Sequence, residues 1–174
     1  MGNADKGFKD AGRVARGASR ETGAPGRRVL VVAAWRSGDR ALRAMVTRLK
    51  ELVPCTFEIL NLESPTAVHY RDSSRALSER IRRCDAAVFA LTARDGAASP
   101  ALLPPSGRLP LSRLFLKRIP AAYLIDGSPS PALDEAVGAH ARAWHLRSLR
   151  TVYGMKEGGD GLESLAASLG RTLE

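Results

Sequence analysis

The sequence predicts a three-layer α/β fold, a buried parallel sheet with helices on both faces. Three observations predict it. Short unbroken apolar runs at Val29–Ala34, Ala86–Leu91 and Ala121–Ile125 read as strands covered on both faces. Amphipathic helical stripes alternate with those runs, as βαβ units require. A length of 174 residues, 44% of them hydrophobic, suits one domain with a full core.

Residues 1–27 carry six spaced glycines and no large apolar residues beyond Phe8 and Val14, so this segment reads as a disordered basic tail. The domain then runs over residues 28–174. Its first strand, Val29–Ala34, is rich in β-branched residues and too short for a typical helix. It feeds the polar turn Trp35-Arg36-Ser37-Gly38-Asp39 and then a helix whose apolar face is Leu42, Met45, Val46, Leu49, Leu52 and Val53. Pro54 ends that helix.

Thr56–Leu62 alternates in part and reads as a strand nearer the edge. Glu63–Asp72, with Pro65 inside it, reads as a loop, and Ser73 or Ser74 caps a helix facing inward with Leu77, Ile81 and Cys84. After the third strand, Thr92–Pro110 is irregular, and only Leu111–Arg118 has the pattern of another short helix. The fourth strand is followed by the turn Asp126–Pro131 and by a helical stripe of Leu133, Ala136, Val137, His140, Ala141 and Trp144. Arg150–Met155 reads as the fifth strand, Gly158–Gly161 as a hinge, and Leu162, Leu165, Ala166, Leu169 and Leu173 as the face of a closing helix.

The net charge of +9, mostly from Arg, favours anionic partners. It also fits an Arg-rich solvated surface. Aromatics make up only 5% and no groove-reading motif occurs, so nucleic acid is not the expected partner. No apolar run approaches the ~20 residues of a membrane helix, and no membrane association is expected. Cys55 and Cys84 are far apart, with no CxxC and no secretory leader, which reads as two reduced, buried thiols in a cytoplasmic protein. His140 and His145 are five apart, which does not place both on one helix face, and no Cys/His cluster has metal spacing. His140 falls on the apolar stripe and reads as a packed core-edge residue.

Ligands of such sheets bind at the carboxyl ends of the strands, near the point where strand order reverses. Three loops compete for that place: Ala34–Arg40, Thr92–Pro100 and Asp126–Ser130. In the first, a strand delivers a Gly-containing turn to a helix N-terminus, where free amides and the helix dipole favour a phosphate. Arg36 and Arg40 would pair with phosphate oxygens, with Ser37 and the amides of Gly38 and Asp39 completing the cradle. Asp39 fits only if its carboxylate caps the helix and points away. The same residues also make an ordinary capped βα turn with a surface arginine. Trp35, on the same loop, would stack on a ring or anchor an interface as an exposed aromatic. Arg94 and Asp95 would pair with each other, or Arg94 would reach an anion.

With those loops in view, the chain from Arg28 onward resembles the NAD(P)H-dependent FMN reductase family of the flavodoxin-like superfamily. Ala34–Arg40 stands where that family wraps the FMN phosphate. Leu91–Ala101 matches its ring-covering loop in Thr92, Gly96 and Pro100, and Asp126-Gly127-Ser128 loosely matches the third loop. The family's Tyr-Asn becomes Arg94-Asp95 here, and its Lys-Asn-x-x-Asp-Trp pattern is replaced by Pro104-Pro105-Ser106-Gly107.

The resemblance implies a flavodoxin-like three-layer sandwich with a five-stranded parallel sheet in the order 2-1-3-4-5. It implies noncovalent FMN, reduced by NAD(P)H, acting on a small-molecule substrate. Arg36, Ser37, Gly38, Asp39 and Arg40 would meet the phosphate. Thr92, Ala93, Arg94, Asp95 and Gly96 would lie along the ring, with Gly127 and Ser128 closing the far side. It also implies a homo-oligomer, a dimer or tetramer, for which the Pro-broken segment Leu102–Phe115 is the candidate interface. The alternative is a non-catalytic flavodoxin-like binding module that has lost FMN and recognises a protein or another anionic ligand.

Overall fold

The computed structural model describes residues 26–72, 74–93, 118–154 and 160–174. Residues 1–25 of the basic tail, the segment Leu102–Phe115, the short helix expected at 111–117 and Gly158–Gly159 lie outside the described residues.

Five strands form one sheet in the order β2-β1-β3-β4-β5, as the sequence predicts. They are β1 (Arg28–Ala34), β2 (Thr56–Asn61), β3 (Ala86–Thr92), β4 (Pro120–Asp126) and β5 (Arg147–Tyr153). All neighbouring pairs are parallel. β1 pairs on both sides, with β2 and β3, and Val29–Ala33 have no exposed surface. The continuous apolar run is thus explained: neither face of a central parallel strand meets water.

The two-residue side-chain period of the strands divides the core into two layers. Leu30, Val32, Phe89, Tyr123 and Ile125 point to one face. Leu77 and Ile81 of helix α3 (Ser74–Arg82) and Val137 and Ala141 of helix α4 (Pro131–Ala143) cover it. Val29, Val31, Val88 and Leu124 point to the other face. There they meet helix α1 (Arg40–Leu52) through Leu42, Met45 and Leu49 and helix α5 (Asp160–Leu173) through Leu165 and Leu169.

Three local expectations are corrected. Residues 63–72 are not a loop: Pro65–Ala67 make a 3-10 turn that runs into helix α2 (Val68–Asp72). Pro65 sits in the first turn, where its fixed φ suits a helix start and its missing N–H costs nothing. Ala67 is buried, and Arg80 on α3 ties the segment down by donating to the Tyr70 hydroxyl (2.7 Å) and pairing with Glu58 on β2. The fifth strand begins three residues before Arg150, because Arg147, Ser148 and Arg150 are exposed on an edge strand and mask its pattern. Asp160 and Gly161 are not a hinge but the first turn of α5, where Asp160 and Glu163 complement the helix dipole.

Neither cysteine forms a disulfide among the described residues; Cys84 is buried and Cys55 half-buried. Burial, with a smaller effect of Asp85, pushes the Cys55 thiol up to about 11, so it is not a thiolate at neutral pH. Among the described residues no helix is long and apolar enough to cross a membrane.

His140 is a core residue, as its place on the apolar stripe predicts. It is 5% exposed, its Nδ1 shares a 2.9 Å hydrogen bond with the Tyr123 hydroxyl, and its ring meets Phe89 edge-on at 4.6 Å. Burial lowers its pKa from 6.5 to about 4. The native state therefore holds neutral imidazole where the unfolded chain binds a proton. Its contribution to stability is fully present above about pH 6.5 and is lost as pH falls through about 4, an effect on the order of 3 kcal/mol. Urea unfolding between pH 7 and 4 should show this loss in the natural protein and a flatter profile in His140→Gln. Equal slopes would refute the assignment.

Candidate functional site

The carboxyl ends of β1, β3 and β4 lie side by side, and the strand order reverses between β1 and β3. The loop leaving β1 is built from the backbone outward. The ladder ends with Leu62 N–H donating to Ala33 O at 2.8 Å. Beyond it the Asn61 side chain takes over. Its Oδ1 accepts from Trp35 N–H (3.2 Å) and Glu63 N–H (3.2 Å), and its Nδ2 donates to Trp35 O (3.0 Å). A side-chain amide thus extends the β1–β2 pairing by one residue and fixes where the loop begins.

This clamp places Trp35 where the sequence reading does not. Its ring is not an exposed anchor or stacking platform. It is 8% exposed and joins the core layer under α1 and α5, with the Arg43 guanidinium 5.7 Å from the ring centre. The apolar run continues one residue past the strand because Trp35 is still core.

Asp39 is the N-cap residue of α1, yet its carboxylate turns back onto the loop and makes no cap bond to the helix. Oδ2 accepts the Arg36 N–H at 2.8 Å, and Asp39 is only 5% exposed. The Asp39 N–H donates to Arg36 O at 3.1 Å, and Arg40 N–H to Gly38 O at 2.8 Å. In this turn the amide of Asp39 is already engaged by Arg36 O, and its carboxylate accepts the Arg36 amide, which leaves neither group open to a ligand.

The tip remains open. Among the described residues the amides of Ser37 and Gly38 donate to no other group, both residues are exposed, and nothing lies within 4 Å of a Cβ built on Gly38. Arg36 is 77% exposed on its side chain and 3.8 Å from Glu63, and Arg40 is exposed and forms no ion pair among the described residues. Two consecutive free amides, a hydroxyl and two guanidinium groups suit an anionic group seated on the tip of the loop.

The second and third loops are joined at their roots. Thr92 pairs with Asp126, and Ala93 N–H donates to Asp126 O at 3.1 Å. Thr92 Oγ1 is buried without a hydrogen-bond partner, a cost of about 1–3 kcal/mol unless a further group satisfies it. Gly127 is pressed against this corner: a Cβ there would stand 2.7 Å from Ala93 Cβ. Ser128 is exposed beside it. Arg94, Asp95 and Gly96 lie outside the described residues. Nearby, the Tyr153 hydroxyl at the end of β5 bonds Asp134 in the first turn of α4. Burial and this carboxylate push the phenol up to about 12.

The site thus joins Arg36, Ser37, Gly38 and Arg40 on one lip and Thr92, Ala93, Gly127 and Ser128 at the next two strand ends. Asn61, which does most to shape it, has a faint signal in the sequence: a lone carboxamide ending an otherwise semi-apolar strand. Among the described residues no three His, Cys, Asp or Glu side chains gather as metal ligands.

No protein-family model matches the chain, and no curated protein matches it in sequence. Solved structures do share its fold. A two-electron reduced flavodoxin from Megasphaera elsdenii, in solution, aligns with a TM-score of 0.53 at 12% identity, over 82% of this chain and 98% of that one. The Trp repressor binding protein from Bacillus subtilis aligns with a TM-score of 0.51 at 16% identity, over 85% of this chain and 99% of that one. The fold is flavodoxin-like.

The close approach at the second and third loops has a direct test. Gly127→Ala forces two rigid groups apart and should destabilise the protein by about 1–3 kcal/mol in denaturant unfolding. A neutral Gly127→Ala would show that the two loop roots are not packed together.

Proposed function

We propose that the chain binds FMN noncovalently at the carboxyl ends of β1, β3 and β4 and acts as an NAD(P)H-dependent oxidoreductase on a small molecule. The observation that carries this reading is the pair of unpartnered amides at Ser37 and Gly38, flanked by Arg36 and Arg40, beside the strand-order reversal. The donors fit a phosphate on the loop tip, with Ser37 Oγ as a further donor. In this reading Asp39 does not touch the phosphate. It holds the turn, and its negative charge has to be outweighed by the two arginines.

The ring end of the ligand would lie toward Thr92 and Ala93, with Gly127 and Ser128 beyond. The missing side chain at Gly127 lets that floor close tightly, and Thr92 Oγ1 offers a hydrogen bond that no described residue uses. Arg94, Asp95 and Gly96 complete the second loop in this proposal. When bound, FMN supplies the hydride chemistry, and the protein's share is to hold, orient and electrostatically tune it. The described residues need no separate acid or base for that role. A cytoplasmic dimer or tetramer assembled through Leu102–Phe115 belongs to the same proposal.

One observation favours a second reading, a flavodoxin-like binding module that has lost FMN. The carboxylate of Asp39 already occupies the interior of the turn and takes the amide of Arg36. Calorimetric titration with FMN separates the two. The flavin reading predicts binding at tens of micromolar or tighter. Arg36→Ala should weaken it by about tenfold or more, as loss of a charge-assisted bond does. Asp39→Asn keeps an acceptor for the Arg36 amide while removing the opposing charge, and should tighten binding by about tenfold. Binding by Asp39→Asn alone, or by neither protein, establishes the module reading.

A further inference from the structure

The opposite edge of the sheet, at the amino ends of β4 and β5, carries a second cavity of about 540 Å³. It is remote from the three loops at the carboxyl ends of the strands. Its polar lining is Arg118, just before β4, Arg142 and His145 at the end of α4, and Ser148 in β5. Gly138 and Leu146 contribute to its apolar wall. Among the described residues no acidic side chain lines it, and Arg118 and Arg142 form no ion pair or side-chain hydrogen bond. Two guanidinium groups bordering one cavity favour an anion there.

The backbone supplies an independent observation. Helix α4 ends in a Schellman turn: His145 N–H donates to Arg142 O (3.1 Å) and Leu146 N–H to Ala141 O (2.9 Å). The left-handed position of that turn is the place for glycine. Here it is His145, with φ of 52°, and no other non-glycine described residue has a positive φ. His145 thus sets an imidazole, in place of glycine, on the wall of the cavity. A glycine stands instead at Gly138, about two turns earlier and one turn before Arg142, where a Cβ would stand 3.3 Å from Arg142 Nη1. The helix therefore leaves room for the guanidinium to lie back along it. The carbonyls of His140, Ala141 and Arg142 accept bonds within the turn, which weakens the negative end of the helix facing the cavity.

From this geometry we propose that the cavity binds a small phosphomonoester. Arg118, Arg142 and His145 hold the phosphate, Ser148 Oγ donates to it, and the organic part lies against Gly138 and Leu146. The volume lies within the range of about 300–1,000 Å³ common to small-molecule sites.

The test is an amide-resolved NMR titration of the full chain with AMP, and with adenosine as the phosphate-free control. Saturable shifts at His145, Leu146 and Ser148 are expected with AMP and not with adenosine. Arg118→Gln and Arg142→Gln should each weaken AMP binding by about tenfold or more. Arg36→Ala, on the other edge of the sheet, should leave these shifts unchanged. His145→Gly should raise the thermal midpoint and yet weaken binding, a pairing that a purely structural histidine does not produce. No saturable shift at these amides up to about 10 mM AMP, equal binding of adenosine, or AMP affinity unchanged by Arg142→Gln would each overturn the proposal.

Discussion

The site depends on one constraint, the side-chain amide of Asn61 held against the backbone of Trp35. Parallel strands of unequal reach leave a frayed end, and an unpaired backbone group there costs free energy unless something else bonds it. Asn61 meets both the N–H and the C=O of Trp35 and also the amide of Glu63. With the chain fixed at that residue, the Trp35 ring enters the core and the next four residues have to turn sharply to start α1. Asp39 closes the turn by accepting the amide of Arg36, and the amides of Ser37 and Gly38 are left without a partner among the described residues. The shape of the candidate site is thus a by-product of satisfying backbone groups on two sides of it.

Charge acts on a second level. Arg48 with Glu51 and Arg75 with Glu79 form exposed helical pairs, each worth well under about 1 kcal/mol. Arg40, Arg118 and Arg142 form no ion pair among the described residues, and each stands beside other groups that suit an anion. They lie at opposite edges of the sheet, Arg40 with the amides of Ser37 and Gly38, the other two around a cavity. Among the described residues the positive charge thus gathers at both ends of the sheet's strands.

The architecture was legible because burial on both faces of a central parallel strand leaves no room for polar residues. Val29–Ala34 and Ala86–Leu91 could hardly be anything else, and their alternation with helical stripes implied the parallel sheet. Strand order came from the family resemblance, and the sheet has that order. The misread elements lie where tertiary structure overrides local pattern. Pro65 signals a break and instead starts a helical turn, and edge exposure hides the start of β5. At the site, residue positions were legible and directions were not. Nothing local distinguishes an Asp39 that caps the helix from one that folds back onto Arg36. Nor does anything show that Trp35 points inward, because the decision belongs to Asn61, 26 residues away.

Amide hydrogen exchange by NMR at the β1–α1 turn tests this account most directly. Trp35, Arg36 and Asp39 should be protected well above the loop baseline, with protection at Arg36 falling in Asp39→Ala, while Ser37 and Gly38 exchange at nearly the rate of an unstructured peptide. Rapid exchange at Arg36 in the natural protein, or strong protection at Ser37 and Gly38 without ligand, would contradict a turn that is closed from within and open only at its tip.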